Sequence, residues 1–230
     1  MIAQRVAAVR ERIARAAARA SRAPGSVQLV AISKTFPAEA VREAHAAGLR
    51  DFGENRVQEA EPKIAAASLA AAGLRWHLVG HLQSNKARRA AALFEVVQSV
   101  DGLELARRLA RCGAEQGRPV RALVQVDLAG ESTKFGLPEP ELLATLESLR
   151  GTDGIRVEGL MLLPPYSDDP EASRPFFRRL RALGERAVAA GLAGGELSMG
   201  MSHDFEVAVE EGATIVRIGT AIFGGRSGAA

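Results

Sequence analysis

Lys34 ends the run Val27-Gln28-Leu29-Val30-Ala31-Ile32-Ser33, which reads as a buried strand, and Pro37 closes off any extension three residues later. A lysine presented at a strand tip is a candidate amine for covalent chemistry. Burial beside apolar neighbours strips solvation from an ammonium and lowers its pKa, and the neutral amine is then able to attack a carbonyl and form a Schiff base. The chain has only four lysines, Lys34, Lys63, Lys86 and Lys134, against 26 arginines. Strand ends also carry lysines whose heads merely reach solvent. The case for chemistry at Lys34 therefore depends on what stands near it.

Two segments near the C-terminus have the composition of anion-binding turns. Ser198-Met199-Gly200-Met201-Ser202 precedes a helix predicted from His203, and Gly219-Thr220 opens another short segment, with Arg217 two residues upstream. Glycine lets the backbone approach a ligand closely, hydroxyls donate hydrogen bonds, and N–H groups at a helix start point outward. Either turn alone is ordinary; together, beside a permanent cation, they make a phosphate cup. A Schiff-base lysine with a phosphate cup describes either a sugar-phosphate aldolase or a pyridoxal 5′-phosphate protein.

Elements that bring such distant residues together are legible in the alternation of the chain. Short β-rich runs at 27–33, 50–53, 75–79, 95–99, 120–127, 155–162, 195–199 and 214–218 are followed by helical stretches at 38–47, 56–72, 85–93, 102–116, 139–149, 171–190 and 204–210, and by a short segment after Gly219. Strands separated by helices pair in parallel through crossovers. Eight units in 230 residues predict an α/β fold, a single (β/α)8 TIM-type barrel, ahead of an open doubly wound sheet. An extra N-terminal helix over 1–22 carries Ile2, Val6, Val9 and Ile13 as one apolar stripe. The barrel is one domain spanning 1–230, with 225–230 expected as a frayed tail.

In a barrel of this kind chemistry belongs at the C-terminal strand ends. Those positions hold Lys34, then Gly53-Glu54-Asn55, then His77 leading through Gly80 and His81 to Gln83-Ser84-Asn85-Lys86. Later strands lead to Lys134-Phe135-Gly136, Met161, the Ser198–Ser202 turn, and Arg217-Ile218-Gly219-Thr220. Residues two apart on a strand share a side, so Val30, Ile32 and Lys34 face together, as do Ile215, Arg217 and Gly219. First and eighth strands are neighbours in a closed barrel, which puts Lys34 and Arg217 at the same mouth. His81 and Lys86 are candidates to line the mouth, with a capped helix starting near Ser84 an equal reading of that loop; Asp204 and Glu206 are expected to favour a helix start, and Lys134 to be a solvated loop lysine, with binding of a carboxylate or a second cofactor molecule as its alternative.

Composition bounds the remaining choices. The pI near 9.5 rests on a net excess of three cations spread along helices beside glutamates, which is a solvated arginine surface and not a nucleic-acid stripe. Aromatics at 4% leave no stacking platform for single strands. No run is long enough to span a membrane, and the single Cys112 builds no disulfide framework. The expected protein is soluble, cytoplasmic and monomeric, with neither nucleic acid nor membrane as partner and no metal site.

Several motifs in order carry a family resemblance. They are Leu29-Val30-Ala31-Ile32-Ser33-Lys34-Thr35, Phe52-Gly53-Glu54-Asn55-Arg56-Val57-Gln58-Glu59, and Trp76-His77-Leu78-Val79-Gly80-His81-Leu82-Gln83-Ser84-Asn85-Lys86, then the block from Leu197-Ser198-Met199-Gly200-Met201-Ser202-His203-Asp204 to Val216-Arg217-Ile218-Gly219-Thr220-Ala221-Ile222-Phe223-Gly224. Over essentially its whole length the chain resembles the pyridoxal phosphate homeostasis proteins, single-domain relatives of the alanine racemase N-terminal barrel. The first-strand lysine fits that resemblance, since aldolase lysines usually lie later in the barrel.

The resemblance implies that Lys34 carries pyridoxal 5′-phosphate as an internal aldimine. It further implies that Ser198, Met201, Ser202, Gly219 and Thr220 surround the phosphate, that Asn55 and His77 line the ring pocket, and that Arg217 meets either the pyridine nitrogen or the phosphate; Met161, at the end of the sixth strand, is a further candidate cofactor-binding residue. Phe36 and Leu162-Leu163-Pro164-Pro165-Tyr166 depart from the family pattern at the rim. Racemases of this fold use a second base, a tyrosine from an additional β-domain, and the only tyrosine here, Tyr166, does not match it. The reading is a carrier that maintains pyridoxal phosphate homeostasis, with apo pyridoxal phosphate enzymes as partners; an amino-acid racemase or lyase is the alternative and an aldolase the third choice.

Overall fold

Near-continuous apolar runs become strands because both of their faces are covered, one by the barrel interior and one by helices. The computed structural model describes residues 1–23, 25–66, 73–130 and 135–225. Its strands are β1 Gln28–Ile32, β2 Asp51–Glu54, β3 Arg75–Leu78, β4 Val96–Val100, β5 Val120–Asp127, β6 Ile155–Met161, β7 Glu196–Met201 and β8 Ile215–Ile218. Each pairs in parallel with the next, and β8 returns to β1 with Val30 opposite Arg217, so the sheet closes into a (β/α)8 barrel. A short strand, Leu137–Pro138, adds outside the ring against β5.

Pleating divides the core in two. Val30, Ile32, Val79, Val96, Leu123, Met161 and Ile215 fill the barrel, whereas Ala31, Phe52, Leu78, Val97 and Val216 turn outward under the helices. The outer ring consists of α2 Ala38–Ala46, α3 Val57–Ala65, α4 Ala87–Leu93, α5 Leu103–Glu115, α6 Leu142–Leu149, α7 Arg174–Ala189, α8 Phe205–Glu210 and α9 Thr220–Phe223. The expected N-terminal helix is α1, Ile2–Arg19, whose stripe of Ile2, Val6, Val9 and Ile13 is buried against α2, α8 and α9. Its arginines meet acids of α8, Arg12 with Glu206 at 2.8 Å and Arg19 with Glu210 at 2.7 Å. The basic composition is thus largely paired surface charge.

Two local expectations change. The helix expected over 56–72 ends as α3 at Ala65, where Ala66 turns extended at ψ 105°; residues 67–72 lie outside the described residues, as do Lys134 and the tail residues 226–230. Ser84 caps nothing with its side chain; it opens a single 3₁₀ turn, Ser84–Lys86, and α4 begins at Ala87.

Candidate functional site

At the C-terminal ends of the strands lies a cavity of about 470 Å³ that Lys34, Asn55, Met201 and Arg217 all line. Pleating on β1 and β8 thus turns Lys34 and Arg217 to the same side, and the amine and the guanidinium share one mouth. Ile32, Val79 and Leu163 supply apolar wall, while His81, Gln125 and Tyr166 add polar groups. Gly80 makes the fit with Asn55 possible, since a Cβ there would lie 2.4 Å from the Asn55 carbonyl oxygen. The His81 ring stacks on Phe135 at 3.6 Å and its Nδ1 lies 2.9 Å from Asp101 Oδ2, which fixes that side of the rim.

Arg217 is 3% exposed. It donates through one terminal nitrogen to Ser198 Oγ at 2.6 Å and through the other to the Leu162 carbonyl at 2.7 Å. Burial lowers its pKa to about 10, against which Asp204 acts weakly, so the group stays charged near neutrality. Ser198 Oγ in turn donates to Gln98 Oε1 at 2.6 Å. Gln98 Nε2 lies 3.0 Å from His77 Nδ1, and His77 Nε2 lies 3.2 Å from Asp51 Oδ1. A polar chain thus crosses the barrel from the mouth to its opposite end.

Three of the expected site residues stand in or beside that chain. Ser198 is fully buried inside the barrel, where its hydroxyl donates to Gln98 and accepts from Arg217. His77 lies a layer deeper than the mouth residue Val79 and is held between Gln98 and Asp51. Met161 packs in the interior cluster as part of the floor. Each stands beneath the cavity, where it supports the lining.

The expected phosphate turns are joined by Ser202. Its Oγ accepts from the backbone N–H of Gly219 at 3.1 Å and of Ala221 at 3.3 Å, tying the end of β7 to the start of α9 beside Thr220. Gly200, at φ +91°, makes the bend in β7; a Cβ there would lie 2.5 Å from Ala208 Cβ and 2.9 Å from Phe205 Cα. Asp204 is more than a helix-start acid, because Oδ1 accepts from Met201 N at 2.7 Å and Oδ2 from Ser173 Oγ at 3.0 Å. Phe36, a departure from the family pattern, stacks on Phe223 at 5.0 Å and fastens the Lys34 loop to α9.

Sequence reading passed over the group behind Lys34. Glu54 and Lys63 are buried on the outer side of β1 and β2, with Lys63 Nζ 2.6 Å from Glu54 Oε1. Burial raises the Glu54 carboxyl pKa, and the hydrogen bonds from Lys63 and Ser33 oppose that rise. The available signal was a lysine on the buried face of a helix in a chain with only four lysines. Gln98 was likewise missed as a polar residue inside an apolar strand.

Known proteins share this architecture. The alanine racemase, N-terminal domain family matches residues 5–227. The pyridoxal phosphate homeostasis protein of Pseudomonas aeruginosa is 47% identical over 98% of this chain and 96% of its own, and that of Aquifex aeolicus 42% over 97% of each. PipY of Synechococcus elongatus, solved with PLP bound, superposes at a TM-score of 0.86 with 42% identity, over 97% of this chain and all of its own. Clostridium difficile alanine racemase, 14% identical, shares the fold at a TM-score of 0.69 over 86% of this chain and 54% of its own.

Proposed function

This chain belongs to the alanine racemase N-terminal domain family, and from that premise we propose that it binds pyridoxal 5′-phosphate covalently through Lys34 and maintains the supply of that cofactor as a carrier. One observation carries the reading: Lys34 and Arg217 line a single mouth cavity, next to the turn where Ser202 joins Gly219. A cavity of about 470 Å³ with an apolar wall, an amine and a buried cation suits a small aromatic phosphate, and Met201 on its wall leads directly into the Ser202 turn. Bound there, the cofactor supplies an aldehyde, which condenses with an amine and releases water, and a ring able to accept electrons.

The chain's own residues divide the remaining tasks. Ser202, Gly219 and Thr220 hold the phosphate, Met201 and Asn55 flank the ring, and Ser198, His77 and Met161 support from below. Arg217 would meet the pyridine nitrogen of the bound cofactor, because it lies in the cavity floor bonded to neutral groups, Ser198 and the Leu162 carbonyl, and the candidate phosphate turn follows two residues later. A permanent cation there would disfavour protonation of that nitrogen and leave the ring a weaker electron sink, which suits storage better than turnover.

Tyr166 does reach the mouth, but as an 80% exposed rim residue whose hydroxyl donates to Asp168 at 3.0 Å. That bond raises its pKa, which opposes service as a second base. Apo pyridoxal phosphate enzymes are the proposed recipients. The proposed working state is a cytoplasmic monomer, in keeping with a barrel closed strand to strand; among the described residues no helix is long and apolar enough to cross a membrane.

The deciding experiment incubates the loaded protein with L-alanine in deuterated water. The carrier reading expects negligible Cα exchange and no D-isomer, since a missing base costs about 10²–10⁴-fold, together with transfer of the cofactor to an apo acceptor enzyme. Turnover that vanishes in Lys34→Ala would establish the racemase or lyase instead.

A further inference from the structure

We propose that Glu54, Glu59 and Lys63 form a clamp that positions Lys34 by fixing the two residues on either side of it. The inference rests on the covalent role of Lys34 given above and extends it to residues outside the mouth. Ser33 is fully buried; its hydroxyl donates to Glu54 Oε1 at 2.7 Å and its carbonyl accepts from Lys63 Nζ at 2.8 Å. Thr35 donates its backbone N–H to Glu59 Oε1, which lies 3.7 Å from the same Lys63 nitrogen. One ammonium thus links both flanks of Lys34.

Backbone geometry shows what the clamp holds. Thr35 sits at φ +68°, a left-handed conformation that a β-branched residue rarely adopts without being forced. It turns the chain out of β1 immediately after Lys34, while the alternation of Val30 and Ile32 aims Lys34 inward. A misplaced reacting group loses rate steeply, about 10²-fold for 1 Å, so a strained turn beside the amine needs support from outside the cavity.

Stability alone gives little reason for the pair. A buried ion pair is commonly no more stabilising than apolar residues of equal volume. Glu54 also keeps its second oxygen, Oε2, buried without a hydrogen-bond partner among the described residues, because Ser33 and Lys63 both converge on Oε1. Arranged for cohesion, the carboxylate would have used both oxygens. Its bonds instead converge on the residue before Lys34.

Two ligands separate positioning from folding in the full chain. Pyridoxal 5′-phosphate reports capture by Lys34, followed by absorbance and by borohydride trapping mapped by mass spectrometry. Pyridoxine 5′-phosphate has the same ring and phosphate with an alcohol in place of the aldehyde. In Glu59→Ala and Lys63→Met the capture rate should fall at least about tenfold, and in Ser33→Ala about threefold, while affinity for pyridoxine 5′-phosphate stays within about twofold. Should Lys63→Met fail to fold, the other two variants decide. Capture at the wild-type rate in both overturns the clamp, and so does equal loss of both ligands, which marks a damaged pocket instead of a displaced amine. Wild-type protein that binds pyridoxine 5′-phosphate yet captures nothing at Lys34 refutes the covalent role, and the clamp falls with it.

Discussion

Arg217 on β8 reaches Ser198 on the neighbouring β7 inside the barrel, with 2.6 Å between guanidinium and hydroxyl, so the cation of the site is held by a neutral partner. No carboxylate comes within ion-pair distance of Arg217 among the described residues, although nearly all other buried charges are paired. A buried charge left uncompensated is kept at a cost to the unliganded protein, and a ligand able to use it recovers that cost.

Arg217→Met should therefore separate stability from binding. Burial lowers the arginine pKa to about 10, and removing the charge relieves that desolvation while leaving Ser198 and the Leu162 carbonyl short of one donor each. We expect the unliganded variant to be more stable by on the order of 1 kcal/mol in urea melts and to bind pyridoxal 5′-phosphate more weakly. A variant that loses both stability and binding would show that the arginine is primarily structural.

Borohydride reduction of the loaded protein should place the pyridoxyl group on Lys34. Lys63 is the internal control: it is buried, whereas Lys34 is half-buried at the mouth, and its nitrogen is held by Glu54 and Ser33 away from the cavity. Label found mainly on another lysine would remove the basis of the site.

Pyridoxal without its phosphate should bind at least tenfold more weakly, since each charge-assisted hydrogen bond to the anion contributes roughly 1.5–3 kcal/mol. Comparable affinity for the two in a fluorescence titration would rule out the turn around Ser202 and Gly219.

Acid stability should depend on Asp51. Burial alone would raise its pKa, but hydrogen bonds from His77 and Arg75, together with the Arg75 charge, outweigh burial and lower it to about 2. The unfolded chain then binds more protons between about pH 4 and pH 2, so this contribution is complete above pH 4 and is lost as pH falls toward 2. Asp51→Asn should remove roughly 1–2 kcal/mol at neutral pH and flatten the acid limb of the stability profile. An unchanged profile would mean that the interaction persists in the unfolded chain.

Gly200→Ala should destabilise by roughly 2–4 kcal/mol, because it combines a left-handed φ with overlap against Ala208 and Phe205. Gly195→Ala, where a Cβ meets nothing within 4 Å, is the control and should change stability by less than about 0.5 kcal/mol. Equal melts for the two variants would contradict the packing of β7 on α8.

Local pattern determined the barrel, the inward facing of Lys34 and the neighbourhood of Lys34 and Arg217, because strand period and strand–helix alternation are properties of short segments. It also supplied the turn glycines, whose effect on the backbone is local. Tertiary structure alone decided where the polar side chains of the interior go. Ser198, His77 and Gln98 carry no mark in sequence that tells a cup or ring-pocket residue from a link in a buried chain, since that depends on which strands face one another across the barrel. The same holds for Lys63, whose partners Ser33 and Glu54 come from two other elements. Burial leaves such groups nowhere to find hydrogen bonds except with each other, and only the closed fold says which of them meet.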